Sequence, residues 1–347
     1  MSDNSANNKR IAKNTLFLYF RTILIMLVTL YTSRVVLNTL GVEDFGVYNA
    51  VGGVVSMFAV ISGALSNAIS RYITYGLGKG DKEKLKMIFC TSVNIQIIIA
   101  LIIFVLCEIV GLWFLNSRMN IPEDRLVAAN WVLHCSLLTF VVNLISVPYN
   151  ACIIAHEHMN AYAYISIFDA ILKMSVAYLL IVSPVDKLIA YSVLLFVTAL
   201  GVRLLYGFYC GRHFKECKYK PIYDRVLFKE MMGFAGWNFF GNATSVLNIQ
   251  GVNILINVFF GVVANSARGI ASQIDAAVNQ LVVTFTTAVN PQITKSYAQG
   301  DSQRLNYLVC KGAKFSFFLL LLFAVPLFFE ADTILKIWLV NVPEGAS

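Results

Sequence analysis

Nine stretches of this sequence stay apolar for about 20 residues or more, the length a helix needs to cross ~30 Å of hydrocarbon. They run over 14–38, 46–76, 86–115, 126–153, 160–182, 187–210, 231–259, 266–297 and 306–330. Backbone groups in hydrocarbon must bond within their own segment or a closed barrel, and segments this long meet that demand as helices. Composition agrees. Soluble domains carry roughly a quarter charged residues, whereas here 13% are charged and 58% hydrophobic, too little polar surface to cover the chain in water. The expected fold is an all-α polytopic membrane protein. The start, MSDNSANNKRIAKN, is polar and basic, and the apolar run after it continues to about Asn38. That length predicts a retained span, not a cleaved signal peptide.

The net charge of +8 has a pattern that excludes nucleic-acid binding as its purpose. One set of alternate loops holds Lys9, Arg10, Lys13; Lys79, Lys82, Lys84, Lys86; Arg212, Lys215, Lys218, Lys220, Arg225, Lys229; and Lys295, Arg304, Lys311, Lys314. The other set holds Arg118, Arg125, Lys187 and Lys336. Seventeen basic residues against four place the N-terminus in the cytoplasm, since lysine and arginine collect in loops that stay inside.

A repeat is laid over this alternation. Shifted by 220 positions, Phe260–Tyr307 covers Leu40–Met87 without a gap, with Gly80-Asp81 falling on Gly300-Asp301 and Ile73-Thr74 on Ile293-Thr294. The shared residues sit at turns. Asp81 and Asp301 are predicted to cap the helices that follow them. An even number of spans between the copies makes the halves parallel, related by an axis along the membrane normal. The expected organisation is an N-terminal six-helix bundle over 1–210, a basic cytoplasmic linker over 211–230, and the first three helices of a second bundle over 231–347. A second bundle with no counterpart of spans four to six is expected to belong to a longer protein.

Ionisable groups inside a span cost several kcal/mol and usually face a cavity or a partner. Arg21 and Arg34 lie in span one, Arg71 in span two, Glu108 in span three, Asp169 and Lys173 in span five, and Arg268 and Asp275 in span eight. Span seven has an amide row that includes Asn242 and Asn253. Arg34, Arg71 and Arg268 are near enough to span ends to snorkel. Asp169 and Lys173, four residues apart on one helical face, can neutralise each other, and Asp169 and Asp275 are alternative ion-coupling groups. Arg21 lies two turns inside its span, too deep to snorkel with ease. If the repeated spans face each other, Arg21, Arg34, Arg71 and Arg268 converge with the amides on a wet, positive cavity. Guanidinium groups suit phosphate oxygens, and amides suit sugar hydroxyls.

The remaining motifs carry no chemistry. Seven cysteines without CxxC spacing behave as small apolar side chains in apolar segments, so neither disulfides nor a metal is expected. His156-Glu157-His158 is expected to be a solvated turn, because residues two apart on a helix point to different sides. His134 is expected to be a hydrogen-bonded core residue. No nucleophile elbow, phosphate-binding glycine loop or paired-Asp signature occurs, so the chain is not expected to be an enzyme or to hold a cofactor.

The segments FGVVANSARGIASQIDAAVNQLVVTFTTAVNPQITKSYAQGD, LGVEDFGVYNAVGGVVSMFAVISGALSNAISRYITYGLGKGD and AHEHMNAYAYISI strongly resemble bacterial polysaccharide and O-antigen flippases. These belong to the multidrug, oligosaccharidyl-lipid and polysaccharide exporter superfamily. The resemblance implies 12 to 14 helices in two bundles and alternating access around a central cavity. It also implies a cargo of undecaprenyl-pyrophosphate-linked oligosaccharide, moved from the inner to the outer leaflet of the bacterial cytoplasmic membrane. Arg21, Arg34, Arg71 and Arg268 are the positions at which cationic residues would hold the pyrophosphate. Protons or Na+ are the candidate coupling ions, membrane lipid surrounds the spans, and polysaccharide polymerase machinery is a candidate partner.

Two rivals bear on this reading. A cation-coupled multidrug exporter of the same superfamily would use intramembrane carboxylates, and span one has arginines instead. A membrane polymerase or glycosyltransferase acting on lipid-linked sugars would carry large polar segments with acidic motifs, whereas the longest loop here is roughly 20 residues and basic.

Overall fold

The computed structural model describes residues 2–56, 58–117, 121–221 and 224–338, with side chains between 245 and 273 described at few positions. The described backbone is helical almost throughout, with no strand among the described residues. Helix α1 (Ser2–Ser56) is broken by Gly41, whose φ of 82° and ψ of 170° lie outside helical space. Helices α2 (Ala59–Lys79) and α3 (Lys82–Leu106) follow, and α3 passes through a π-helical turn (Cys107–Gly111) into α4 (Leu112–Ser117). Then come α5 (Leu126–Ala155), α6 (Met159–Leu179), α7 (Lys187–His213), α8 (Arg225–Gln299), α9 (Ser302–Phe329) and α10 (Ala331–Trp338).

Among the described residues six helical stretches are long and apolar enough to cross a membrane: 10–41, 82–117, 123–155, 159–182, 187–213 and 302–329. Six of the expected spans fall on them, and an all-α polytopic membrane protein is what the chain forms. The expected pair 231–259 and 266–297 is carried by one helical run, α8, of 75 residues. No proline lies between 259 and 266 to force an interruption, and a lone glycine, Gly261, costs a helix only about 1 kcal/mol.

Residues 20–239 form one compact unit; residues up to 19 together with those from 240 onward form another. In the first unit α5 is the central helix, packed against α2, α3 and α7. Its alanines, Ala128, Ala129, Ala151 and Ala155, are buried and allow close approach. One apolar cluster gathers Ile69, Ile73, Phe89, Ile153 and Met231 at the end near the α2–α3 turn. A second gathers Val47, Val51, Leu115, Leu133 and Leu144 towards the opposite end. The outward faces are as apolar as the inward ones: Leu101 and Ile109 are 65% and 67% exposed. A helix hydrophobic all round belongs in lipid, and here its polar residues, such as Thr91, Ser92 and Gln96, are on the inside.

The two Gly-Asp turns share one geometry. Gly80 and Gly300 have φ of 73° and 75°, the left-handed region where a side chain would be strained and where helices commonly end. Asp81 accepts a hydrogen bond from the Lys84 backbone N–H at 3.0 Å, and Asp301 accepts one from that of Arg304 at 2.9 Å. Both are N-caps, as their position in the sequence predicts.

Candidate functional site

Five helices of the 20–239 unit each turn one stripe at helical spacing inward. On α5 the stripe is Thr139, Asn143, Ser146 and Asn150; on α6 it is Tyr162, Ser166, Asp169 and Lys173; on α1 it runs from Arg21 through Thr29 and Thr32 to Val36. With Ser62 and Ser66 of α2 and Tyr191 and Tyr206 of α7, these stripes enclose a cavity of about 830 Å³. Such a volume suits a small organic ligand, since binding pockets run from about 300 to 1,000 Å³. Hydroxyl, amide and tyrosine groups dominate the polar part of the wall. A smaller cavity of about 230 Å³ adjoins it, sharing Tyr48, Thr139, Asn143 and Leu195.

Three charged side chains line the larger cavity: Arg21, Asp169 and Lys173. Arg21 lays its guanidinium over the Tyr162 ring, 4.5 Å from the centroid, and its Nη2 donates to the Tyr162 hydroxyl at a long 3.5 Å. Its Nε is buried and has no hydrogen-bond acceptor. Lys173 donates to Asp169 at 2.8 Å, one turn apart on α6. Thr32 Oγ1 and Asn150 Oδ1 are likewise buried on this wall without a partner, so donors and acceptors both remain open to a ligand. Tyr48 and Tyr191 pack their rings 4.9 Å apart beside them.

One end of the unit is tied by a single arginine. Arg125, just before α5, places Nε 3.1 Å from Asp44 and Nη1 2.7 Å from Asp186. Asp44 lies just past the Gly41 break in α1; Asp186 caps α7 by accepting from the Leu188 and Ile189 backbone N–H groups. Lys187 donates to the Thr39 carbonyl at 3.5 Å, on the other side of the break. At the opposite end His156 pairs with Glu216 at 2.5 Å and stacks on Phe214 at 4.1 Å, while His158 bonds the Tyr209 hydroxyl at 2.9 Å. Burial raises the Glu216 carboxyl, but the hydrogen bond from His156, one from its own backbone and the His156 charge together hold it below the ordinary glutamate value. This His156–His158 turn, expected to be solvated, is packed instead: Glu157 is buried, with a positive φ of 61°. Helical geometry would have pointed its side chains apart; leaving the helix there lets α7 and the 215–217 turn collect them.

The candidate residues are scattered over several surroundings. Arg21, Asp169 and Lys173 meet at the cavity. Arg34 is exposed and is not on its wall, though its neighbour Ser33 is. Arg71 is exposed as well, 4.7 Å from the centroid of the Phe234 ring. In the other unit Asn242 is half-buried on α8, and Asp275 is exposed and accepts a hydrogen bond from Asn279 at 2.9 Å. The side chains of Arg268 and Asn253 lie outside the described residues. His134 is hydrogen-bonded as expected, 2.9 Å from Glu108 in the π-helical turn, but its side chain is 41% exposed, so it is not the core residue the sequence predicts. Arg203 of α7, an intramembrane arginine outside the candidate set, stacks 3.8 Å from the Tyr149 ring centroid. The polar stripes were visible in the sequence at spacings of three, four and seven within apolar spans, as hydroxyls and amides on α5 and as hydroxyls followed by the Asp169–Lys173 pair on α6.

A family model described as polysaccharide biosynthesis protein matches residues 11–297. The uncharacterized membrane protein EpsK of Bacillus subtilis strain 168 is 22% identical over 320 residues, covering 91% of this chain and 63% of EpsK. The chain thus spans a little under two thirds of that relative. A MOP superfamily transporter from Pyrococcus furiosus has a similar fold, with a TM-score of 0.79 at 14% identity over 97% of this chain and 75% of its own. A MATE transporter in its bent conformation scores 0.83 at 12% identity, covering 95% of this chain and 74% of its own.

Proposed function

This chain belongs to the polysaccharide biosynthesis protein family, and from that membership we propose that it takes part in flipping a lipid-linked oligosaccharide across the bacterial cytoplasmic membrane. The cargo is an undecaprenyl-pyrophosphate-linked oligosaccharide, carried from the inner to the outer leaflet with no covalent change. The observation that carries this reading is the wall of the 830 Å³ cavity, with its hydroxyls, amides, tyrosines and one arginine whose Nε has no acceptor. Sugar hydroxyls exchange hydrogen bonds with serine, threonine and asparagine, and sugar faces lie on tyrosine rings. The phosphate oxygens suit the Arg21 guanidinium. The lipid tail stays in the bilayer while the polar headgroup passes through a cavity that replaces its water.

The rest of the organisation follows this proposal. The N-terminus is cytoplasmic by the distribution of basic loops, and the halves 1–210 and 231–347 flank a basic linker and repeat in the same sense. Arg34, Arg71, Arg268, Asn242 and Asn253 are further cargo-binding positions at other stages of the cycle. The Asp169–Lys173 pair, or Asp275, couples the cycle to protons or Na+, and the polymerase machinery receives the product. Against the drug-exporter reading, the carboxylate in this cavity is already engaged by Lys173, so a cationic drug would have to displace a lysine.

In cells lacking the gene, Arg21→Ala is expected to leave surface polysaccharide absent while the protein accumulates normally in the membrane. Arg21→Lys is expected to restore a part. Wild-type polysaccharide levels with Arg21→Ala would remove Arg21, and this cavity, from the transport path.

A further inference from the structure

We propose that Asp169 is a specificity-determining residue: it keeps Lys173 occupied, so that the cavity presents one unneutralised cation to its cargo. The inference rests on the cargo reading above and concerns how strongly the headgroup is held.

The cavity wall holds two cations and one carboxylate. Lys173 and Asp169 are one turn apart and in contact at 2.8 Å. Seen from across the cavity they form a dipole, whose field falls off faster than that of a charge. Arg21 stands on another helix, and among the described residues no carboxylate lies within ion-pair distance of it. Its guanidinium lies over the Tyr162 ring, a contact weaker than a charge-assisted hydrogen bond and therefore readily exchanged for a phosphate oxygen. A headgroup entering this cavity meets one guanidinium able to bind it and one ammonium already satisfied.

That arrangement suits transport better than a doubly cationic wall. A carried ligand must bind well enough to enter and weakly enough to leave. A pyrophosphate has charge for two cations, and a site that offered both would hold it through the step at which it must be released. By withholding Lys173, Asp169 sets the cavity to favour a headgroup gripped at one phosphate, with the remaining contacts made by hydroxyls and amides to the sugars. The carboxylate thus acts on the cargo through the lysine, without touching it.

The test is calorimetric titration of the full chain in lipid nanodiscs with inorganic pyrophosphate and, separately, inorganic phosphate. Asp169→Asn keeps the shape and an acceptor for Lys173 but removes the charge. It is expected to bind pyrophosphate about tenfold more tightly, the gain from one extra unit charge in a partly wetted site, with a smaller gain for phosphate. The Asp169→Asn, Lys173→Met pair should return to the wild-type affinity. Lys173→Met alone, which leaves Asp169 bare, should weaken pyrophosphate binding about tenfold. Arg21→Gln should lose binding in the otherwise wild-type chain, and in the Asp169→Asn background the freed Lys173 should retain part of it. Unchanged or weaker binding by a folded Asp169→Asn, or a gain that survives loss of Lys173, would overturn this inference and leave the cargo reading standing. Pyrophosphate binding that is absent, or indifferent to Arg21→Gln, in every variant would overturn both.

Discussion

Replacing Arg125 by glutamine is expected to destabilise the 20–239 unit by about 3 kcal/mol, and the structure says where that loss arises. Arg125 holds two carboxylates at 3.1 and 2.7 Å, but they are unlike: the Asp44 side chain is 7% exposed and that of Asp186 32%. Removing the cation that faces a buried carboxylate costs roughly 3–5 kcal/mol. Arg125 is itself about one third exposed, so water reaches the pair and the Asp44 share falls to about 2–3 kcal/mol. The exposed leg to Asp186 contributes ~0.5 kcal/mol, in line with surface pairs. For a unit of this size each kcal/mol moves Tm by about 2–4 °C, so Arg125→Gln should melt some 6–12 °C lower. Asp186→Asn, whose amide oxygen can still cap α7, should lose less than about 1 kcal/mol. The decisive variant is Arg125→Gln with Asp44→Asn. With the buried Asp44 charge removed as well, it should recover more than half of the single-mutant loss. Thermal unfolding of the wild type and these three variants in detergent, followed by tryptophan fluorescence, supplies all the comparisons. If the double variant melts no higher than Arg125→Gln, the buried-charge account of this triad is wrong.

The Gly-Asp turns make a paired prediction. Gly80→Ala and Gly300→Ala each force a side chain into the left-handed region at about 1–2 kcal/mol, and Asp81→Ala and Asp301→Ala should each lose about 1 kcal/mol of capping. Matching melting shifts for each pair are expected, and a shift at only one turn would argue that the two are not equivalent. Glu216 predicts a pH dependence. Its folded carboxyl is held below the ordinary value, so it contributes stability that is present above the ordinary glutamate pKa of about 4.3 and lost as pH falls through the lowered folded value. The difference in Tm between wild type and Glu216→Gln should therefore shrink as pH falls below about 4; a difference constant between pH 6 and pH 3 would count against the pair.

What the sequence alone determined is whatever depends on neighbours along the chain. Hydrophobic length decided that the chain lives in a bilayer and placed most of its crossings. Gly80-Asp81 and Gly300-Asp301 announced two turns, because left-handed φ and side-chain capping are properties of a few consecutive residues. The Asp169–Lys173 contact was legible for the same reason, a four-residue step along one helix.

Which charges share a cavity was decided by the tertiary structure. Arg21, Arg34 and Arg71 are the same residue type in similar apolar settings, yet among them the cavity wall includes Arg21 alone. A lone arginine in a span does not say whether it shares the face of that span's inward polar stripe. Which face turns inward is set by packing, here by the buried alanines of α5 and the clusters around Phe89 and Leu133. Arg125 finds Asp44 and Asp186 across 81 and 61 residues of chain, and His134 finds Glu108 across 26. Distances of that kind belong to the bundle, since lipid on the outside makes inward-facing polar groups choose one another.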